Sequence, residues 1–181
     1  MSLIISGGSN GSLNNLTLSG NTATIVDTAR AGGVIQVVHA STTTRTVSTS
    51  STYTDTAITA SITPTSSSNK IMVHIVANVG WSASSSQSWA GGLRILRDST
   101  VIDTPNNDNG PISFYTGVFS GNTTGISRAN MPFLAFDSPA TTSSVTYKAQ
   151  IASRGSATVE TCVAGNTDPG TSRIILMEIV A

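Results

Sequence analysis

The side chains able to do chemistry are few and far apart. His39, His74, Cys162, Glu160 and Glu178 share no local motif. Two histidines and a single cysteine offer no ligand spacing for a metal site. His74 stands between Val73 and Ile75, on the face shared with Met72 and Val76. A satisfied or interfacial imidazole fits that setting better than a general base. Cys162 reads as a small buried hydrophobe, because a catalytic thiol needs a histidine partner and an electropositive surround. The two glutamates fall in different strands, and Asp103 and Asp108 belong to one loop, so no facing carboxylate pair is built. Gly117-Val-Phe-Ser120-Gly121 has the wrong spacing for a nucleophile elbow, and no strand-to-helix turn follows it. The sequence therefore predicts no enzyme, no catalytic residue, no metal and no cofactor.

Two loops are candidates for contact rather than catalysis. Asp103-Thr-Pro-Asn-Asn-Asp-Asn-Gly110 is dense in oxygen donors of the kind a calcium ion takes. The EF-hand register fails, because Pro105 takes the first ligand place when Gly110 is aligned and no later Glu closes the site. A long surface turn is the simpler reading, with Asp103, Asn107 and Asp108 as contact residues. Trp81 and Trp89 flank a stretch of small polar residues, 82–88. Large amphipathic rings around such a loop suit a contact surface. Two core or rim tryptophans that close the loop are the simpler reading.

The elements that must position these residues sit in an unusual composition. The chain has 28 Ser and 27 Thr among 181 residues, while charged residues make up 10% and net charge is zero. Ordinary domains carry roughly 25% charge, so hydroxyls here take the place of charge at the surface. No Lys/Arg cluster exists to neutralise phosphates, which excludes a nucleic-acid footprint. A hydrophobic fraction of 38% with no net charge excludes an acidic disordered chain. No apolar run is long enough for a transmembrane helix. The first residues lack the charged and apolar regions of a signal peptide, so the expectation is a soluble protein made in a cytoplasm. Asn10-Gly-Ser12, Asn15-Leu-Thr17 and Asn122-Thr-Thr124 match the glycosylation pattern, as chance allows in so hydroxyl-rich a chain.

Residues 1–33 read as an N-terminal arm, in which Leu3, Ile4, Leu16, Ile25 and Val26 are isolated apolar attachment candidates. Gly32-Gly33 supplies a bend. From Val34 to Ala181 the pattern is β throughout. Ile71, Val73, Ile75, Ala77 and Val79 hold strict period two. Leu93–Arg97 and Thr100–Asp103 around Asp98-Ser99 form a tight hairpin. Ile112–Phe119, Met131–Phe136, Val145–Ile151 and Ala157–Val163 add strands. Arg173–Val180 is apolar on both faces and should be a central, covered strand. About ten short strands without a helix predict an all-β, antiparallel β-sandwich, with the jelly roll as the favoured member.

From Val34 onward the chain also resembles a family of small virion proteins of tailed bacteriophages. The resemblance lies in Gly33-Val-Ile-Gln-Val-Val38, in Tyr53-Thr-Asp55 leading to Ser61-Ile-Thr-Pro-Thr-Ser-Ser-Ser-Asn-Lys70, and in Leu93-Arg-Ile-Leu-Arg-Asp-Ser-Thr100. Phe136-Asp-Ser-Pro-Ala-Thr-Thr142 with Tyr147, and Ile174-Ile-Leu-Met-Glu-Ile179, complete it. Each segment is weak alone; their order makes the set specific. The resemblance implies a β-sandwich assembled as a homotrimer on the virus particle, described in that family as fibre-like or structural, with no catalytic motif. It implies a virion location after assembly in the host bacterial cytoplasm. Expected partners are other copies of the chain, the major capsid protein or other virion proteins, and, for a fibre, a host surface glycan. No nucleic acid or membrane is expected. The two functions in view are a capsid decoration (cement) protein and a host-binding fibre component.

Overall fold

Period-two alternation decides the layering. Along the longest strand Ile71, Val73, Ile75, Ala77 and Val79 are each 0% exposed, while Met72, His74, Val76 and Asn78 between them stay half-buried. The structure is a computed structural model that describes residues 31–83, 89–104, 106–107, 110–111, 114–116, 125–154, 157–163 and 170–181. The arm proper, with Leu3, Ile4, Leu16, Ile25 and Val26, lies outside the described residues, as does Asp108.

The strands, in chain order, are β1 (Val34–Thr42), β2 (Thr46–Ser48), β3 (Thr54–Ile62), β4 (Lys70–Ala83), β5 (Trp89–Arg97), β6 (Thr100–Asp103) and β7 (Asn106–Asn107). They continue with β8 (Gly110–Pro111), β9 (Phe114–Thr116), β10 (Gly125–Asp137), β11 (Val145–Arg154), β12 (Thr158–Thr161) and β13 (Ser172–Ile179). All pairing is antiparallel, and the described residues contain no helix. The fold is an all-β sandwich, as the alternation predicts.

One sheet is organised on β4. Strand β10 runs along one side of β4 over its length, from Gly125 opposite Ala83 to Asp137 opposite Ile71. The other side is shared. β13 pairs with Lys70–Val76 and β12 with Val79–Ser82, and β1 and β2 extend these two partners outward. The changeover falls at Asn78. Its carbonyl accepts Cys162 N at 2.8 Å, its Oδ1 accepts Val163 N at 2.9 Å, and its amide donates to Ser172 Oγ at 3.0 Å. The second sheet runs β3–β11–β5–β6, with β9 beside the start of β5. The core between the sheets gathers Ile58 and Ile62 of β3, Leu93 and Ile95 of β5, Tyr147, Ala149 and Ile151 of β11, and Ile174 and Leu176 of β13. Asp98 sits in the hairpin turn with φ 52 and is braced by Thr146, whose carbonyl accepts its N–H at 2.7 Å.

Two buried polar clusters fix the register at the base of the sandwich. Glu178 is 0% exposed, and its Oε1 accepts Thr65 N at 2.7 Å, Thr65 Oγ1 at 2.8 Å and Asn69 Nδ2 at 2.7 Å. Gln36, with its amide nitrogen turned inward, reaches Oε2 at 3.1 Å. Burial pushes this carboxyl up, but the bonds from Asn69 and Thr65 outweigh it and hold the group below its ordinary value. Asp137 Oδ2 accepts Arg97 Nη1 at 2.6 Å and the Tyr147 hydroxyl at 2.7 Å, joining β10 to the opposite sheet. Burial first, then this carboxylate, raises the Tyr147 phenol far above its usual range.

Candidate functional site

The two outer faces of the sandwich differ in chemistry, and the register explains how. Directly opposite residues in antiparallel strands point to the same face. On the β4 sheet this places Val37 of β1, Met177 of β13, Met72 of β4 and Phe136 of β10 in one row across four strands. The adjacent row is His39, Ile175, His74 and Leu134. Ser41, Arg173, Val76 and Pro132 form a third row, and Val34 stands opposite Ile179 at the other border. The row ends are widely open to solvent: Val37 is 58% exposed, Leu134 54% and Phe136 59%. Arg173 and, beyond Ile179, Lys70 are the charged members of these rows, and no carboxylate joins them.

Strand β13 is central, between β1 and β4, and its inner face is buried as predicted. Its outer face corrects the expectation of a strand covered on both sides, since Ile175, Met177 and Ile179 are only half-buried. The described strands belong to the two sheets or to the β7–β8 pair, whose contacts are with β5 and β11. None of them lies over these rows.

The outer face of the second sheet is polar. Ser61 Oγ and Thr146 Oγ1 bond at 2.8 Å, and Thr59 Oγ1 donates to the Tyr147 carbonyl at 3.1 Å. Asp55 accepts Lys148 Nζ at 2.7 Å and Gln150 Nε2 at 2.5 Å. Arg94 Nε donates to Gln150 Oε1 at 2.7 Å, and its guanidinium lies 4.2 Å from the centre of the Tyr53 ring. The Lys148 bond, then that of Gln150, hold the Asp55 carboxyl below its ordinary value. Such a ladder saturates its own donors and keeps this face wet.

The residues singled out from sequence are not brought together. Trp81 is 4% exposed and part of the hydrophobic core, which corrects its assignment to a contact loop. Its phase gives the reason: it continues the inward series of Ile75, Ala77 and Val79. Trp89 opens β5 and Asn107 lies in β7, with side chains outside the described set. Asp103 ends β6, opposite Ile95, and is half-buried. His74 shares its face with Met72 and Val76, as the alternation requires, and Cys162 is fully buried with φ 54. Glu160 and Glu178 stand in separate strands, and Glu160 pairs with Arg45. Among the described residues no three His, Cys, Asp or Glu side chains converge as a metal set, and no helix is long and apolar enough to cross a membrane. The residues that sequence reading missed are Val37, Ile175, Met177, Leu134 and Phe136. Their signal was the two-faced apolar pattern of Arg173–Val180 and the apolar run Met131–Phe136.

No protein-family model and no curated protein matches this chain.

Proposed function

We propose that the chain is a structural protein of a bacteriophage virion: a homotrimeric capsid decoration protein of jelly-roll type that cements neighbouring subunits of the head shell. The observation that carries this reading is the contrast between the two outer faces. One is a self-satisfied polar surface, and the other is an apolar surface that none of the described strands covers. The largest apolar patch of a protein is often a contact surface, and an assembly protein needs one. Low charge supports the same reading. Copies crowded on a particle repel one another less when Ser and Thr provide the wetting. The residues 1–33 are then the attachment arm, joined to the sandwich at Gly32, where φ is +80 and the N–H donates to the Val180 carbonyl at 2.8 Å.

The test mixes purified protein with undecorated heads. Binding at hundreds of copies per head, lost on deletion of residues 2–30 while the trimer persists, is the expected result. Binding to host cells with no affinity for heads transfers the function to a fibre that recognises a surface glycan, and overturns the cement reading.

A further inference from the structure

We infer that the apolar outer face of the β4 sheet is the seam between copies of this chain, and that its occupant is a second copy. The inference deepens the trimeric part of the proposed function and rests on it. It adds which surface is consumed by self-association and which surfaces remain for the head.

Size is the first argument. Strands lie about 4.8 Å apart and residues on one face repeat about every 6.8 Å along a strand. Four strands and these three rows, rim included, therefore span roughly 19 by 20 Å, or about 400 Å² before side-chain relief is added. A stable interface takes about 800 Å² from each partner, and about two-thirds of it is apolar in homomeric contacts. The patch supplies about half of one such interface, with its apolar rows at the centre. Ser41, Arg173 and Lys70 at its borders supply polar rim.

Composition is the second. Interface centres are depleted in charge and enriched in Met and aromatic residues. The row Val37–Met177–Met72–Phe136 has that make-up, and the next row adds only two imidazoles, His39 and His74, flanking Ile175. These rows bear no carboxylate and keep Arg173 and Lys70 at their ends, while Glu160, farther along the same face opposite Gly80, is already paired with Arg45. Three such faces can turn toward a common three-fold axis, each meeting a different part of its neighbour's face in a closed ring. A chain that folds with this face open meets other copies before it meets any particle, so the copy is the partner present at the right moment.

The third argument concerns how the copies meet. Among the described strands β10, like β1 and β2, is paired on one side only, and an open edge strand invites pairing by backbone hydrogen bonds. Pro132 stands in the middle of β10, opposite Val76. Proline has no N–H and belongs on the outward side of an edge strand, where it spoils the ladder for an incoming strand. Growth by strand addition at that edge is thus blocked beside Leu134 and Phe136, while their side chains remain open. At this border association is left to the face rather than to the edge.

The experiment compares molar mass by light scattering after size exclusion, at micromolar concentration, for wild type, Leu134→Lys/Phe136→Lys, Val37→Lys and the opposite-face control Thr59→Lys/Ser61→Lys. All substituted positions are exposed, so the fold is retained, and circular dichroism verifies it. The expected result is a mass of three chains for wild type and control, and of one chain for both seam variants. A monomeric wild type overturns the seam and the trimer together. An oligomeric wild type whose seam variants stay oligomeric overturns the seam alone. A monomeric wild type whose seam variants lose binding to heads assigns this face to the capsid instead, which also refutes a copy as its occupant.

Discussion

Replacing Glu178 by Gln removes one negative charge from the base of the sandwich without changing side-chain size. In the wild type the fully buried carboxylate accepts three hydrogen bonds on Oε1, from Thr65 N, Thr65 Oγ1 and Asn69 Nδ2. A bond to a charged acceptor is worth about 1.5–3 kcal/mol, against about 0.5–1.5 for a neutral one. Each bond therefore loses about 1 kcal/mol on substitution, and the three together about 2–4 kcal/mol. Because the folded-state carboxyl titrates below its unfolded value, its contribution is fully present above the unfolded pKa. It is lost as pH falls through the lower, folded value. Wild type and Glu178→Gln should thus differ by about 2–4 kcal/mol at about pH 7, and the gap should shrink as the pH approaches about 3. Urea unfolding followed by circular dichroism measures this, in the Leu134→Lys/Phe136→Lys background at one protein concentration so that mass action stays constant. A gap below about 0.5 kcal/mol at neutral pH, or an equal gap at both pH values, would refute the assignment of Glu178 as an ionised pin.

Gly80→Ala tests the changeover point of β4. Its added Cβ would collide with Cγ2 of Val163, whose backbone N is tied to Asn78 Oδ1 at 2.9 Å and cannot retreat freely. Overpacking of this kind costs about 1–3 kcal/mol and should lower Tm by roughly 3–10 °C in a chain this long, with partial recovery on adding Val163→Ala. Asp55→Asn tests the opposite case. This carboxyl is also held low by Lys148 and Gln150, but its side chain is 54% exposed, so solvent screens the pair and urea unfolding should register a loss below about 1 kcal/mol.

The period-two signal was strong wherever one face is buried. It located β4, the Asp98-Ser99 hairpin, β11 and β13 from sequence. Strand ends were underestimated where Thr, Ser and Asn continue a strand without apolar contrast. β3 thus begins at Thr54 and β10 at Gly125, before their apolar residues announce them. Trp81 was legible in principle by extending the phase of Val79 two residues, but its neighbours Ser82 and Ser84 drew it toward a loop. The apolar face was only half legible. Arg173–Val180 declared two apolar sides, yet Val37, Met72 and Phe136 meet Met177 only through pairings between distant segments, which no local pattern encodes. The donors to Glu178 are of the same kind: Thr65 and Asn69 lie more than a hundred residues away in sequence and meet its carboxylate only once β13 lies against them.

The pairing of Val34 with Ile179 also sets the tempo at which this molecule can form. Strand β1 is among the first parts of the sandwich to leave the ribosome, and its neighbour β13 is the last strand to do so. Closure must await synthesis of β13, and contacts this remote in sequence make folding slow, in the range of milliseconds to seconds or beyond. Over that interval Val34–Thr42 has no ladder to join, and the β4 side destined for β13 stands open. Growing chains are therefore most vulnerable to proteases and to one another until β13 emerges. A low density of adjacent nascent chains should raise the yield of native protein more than any added stability would.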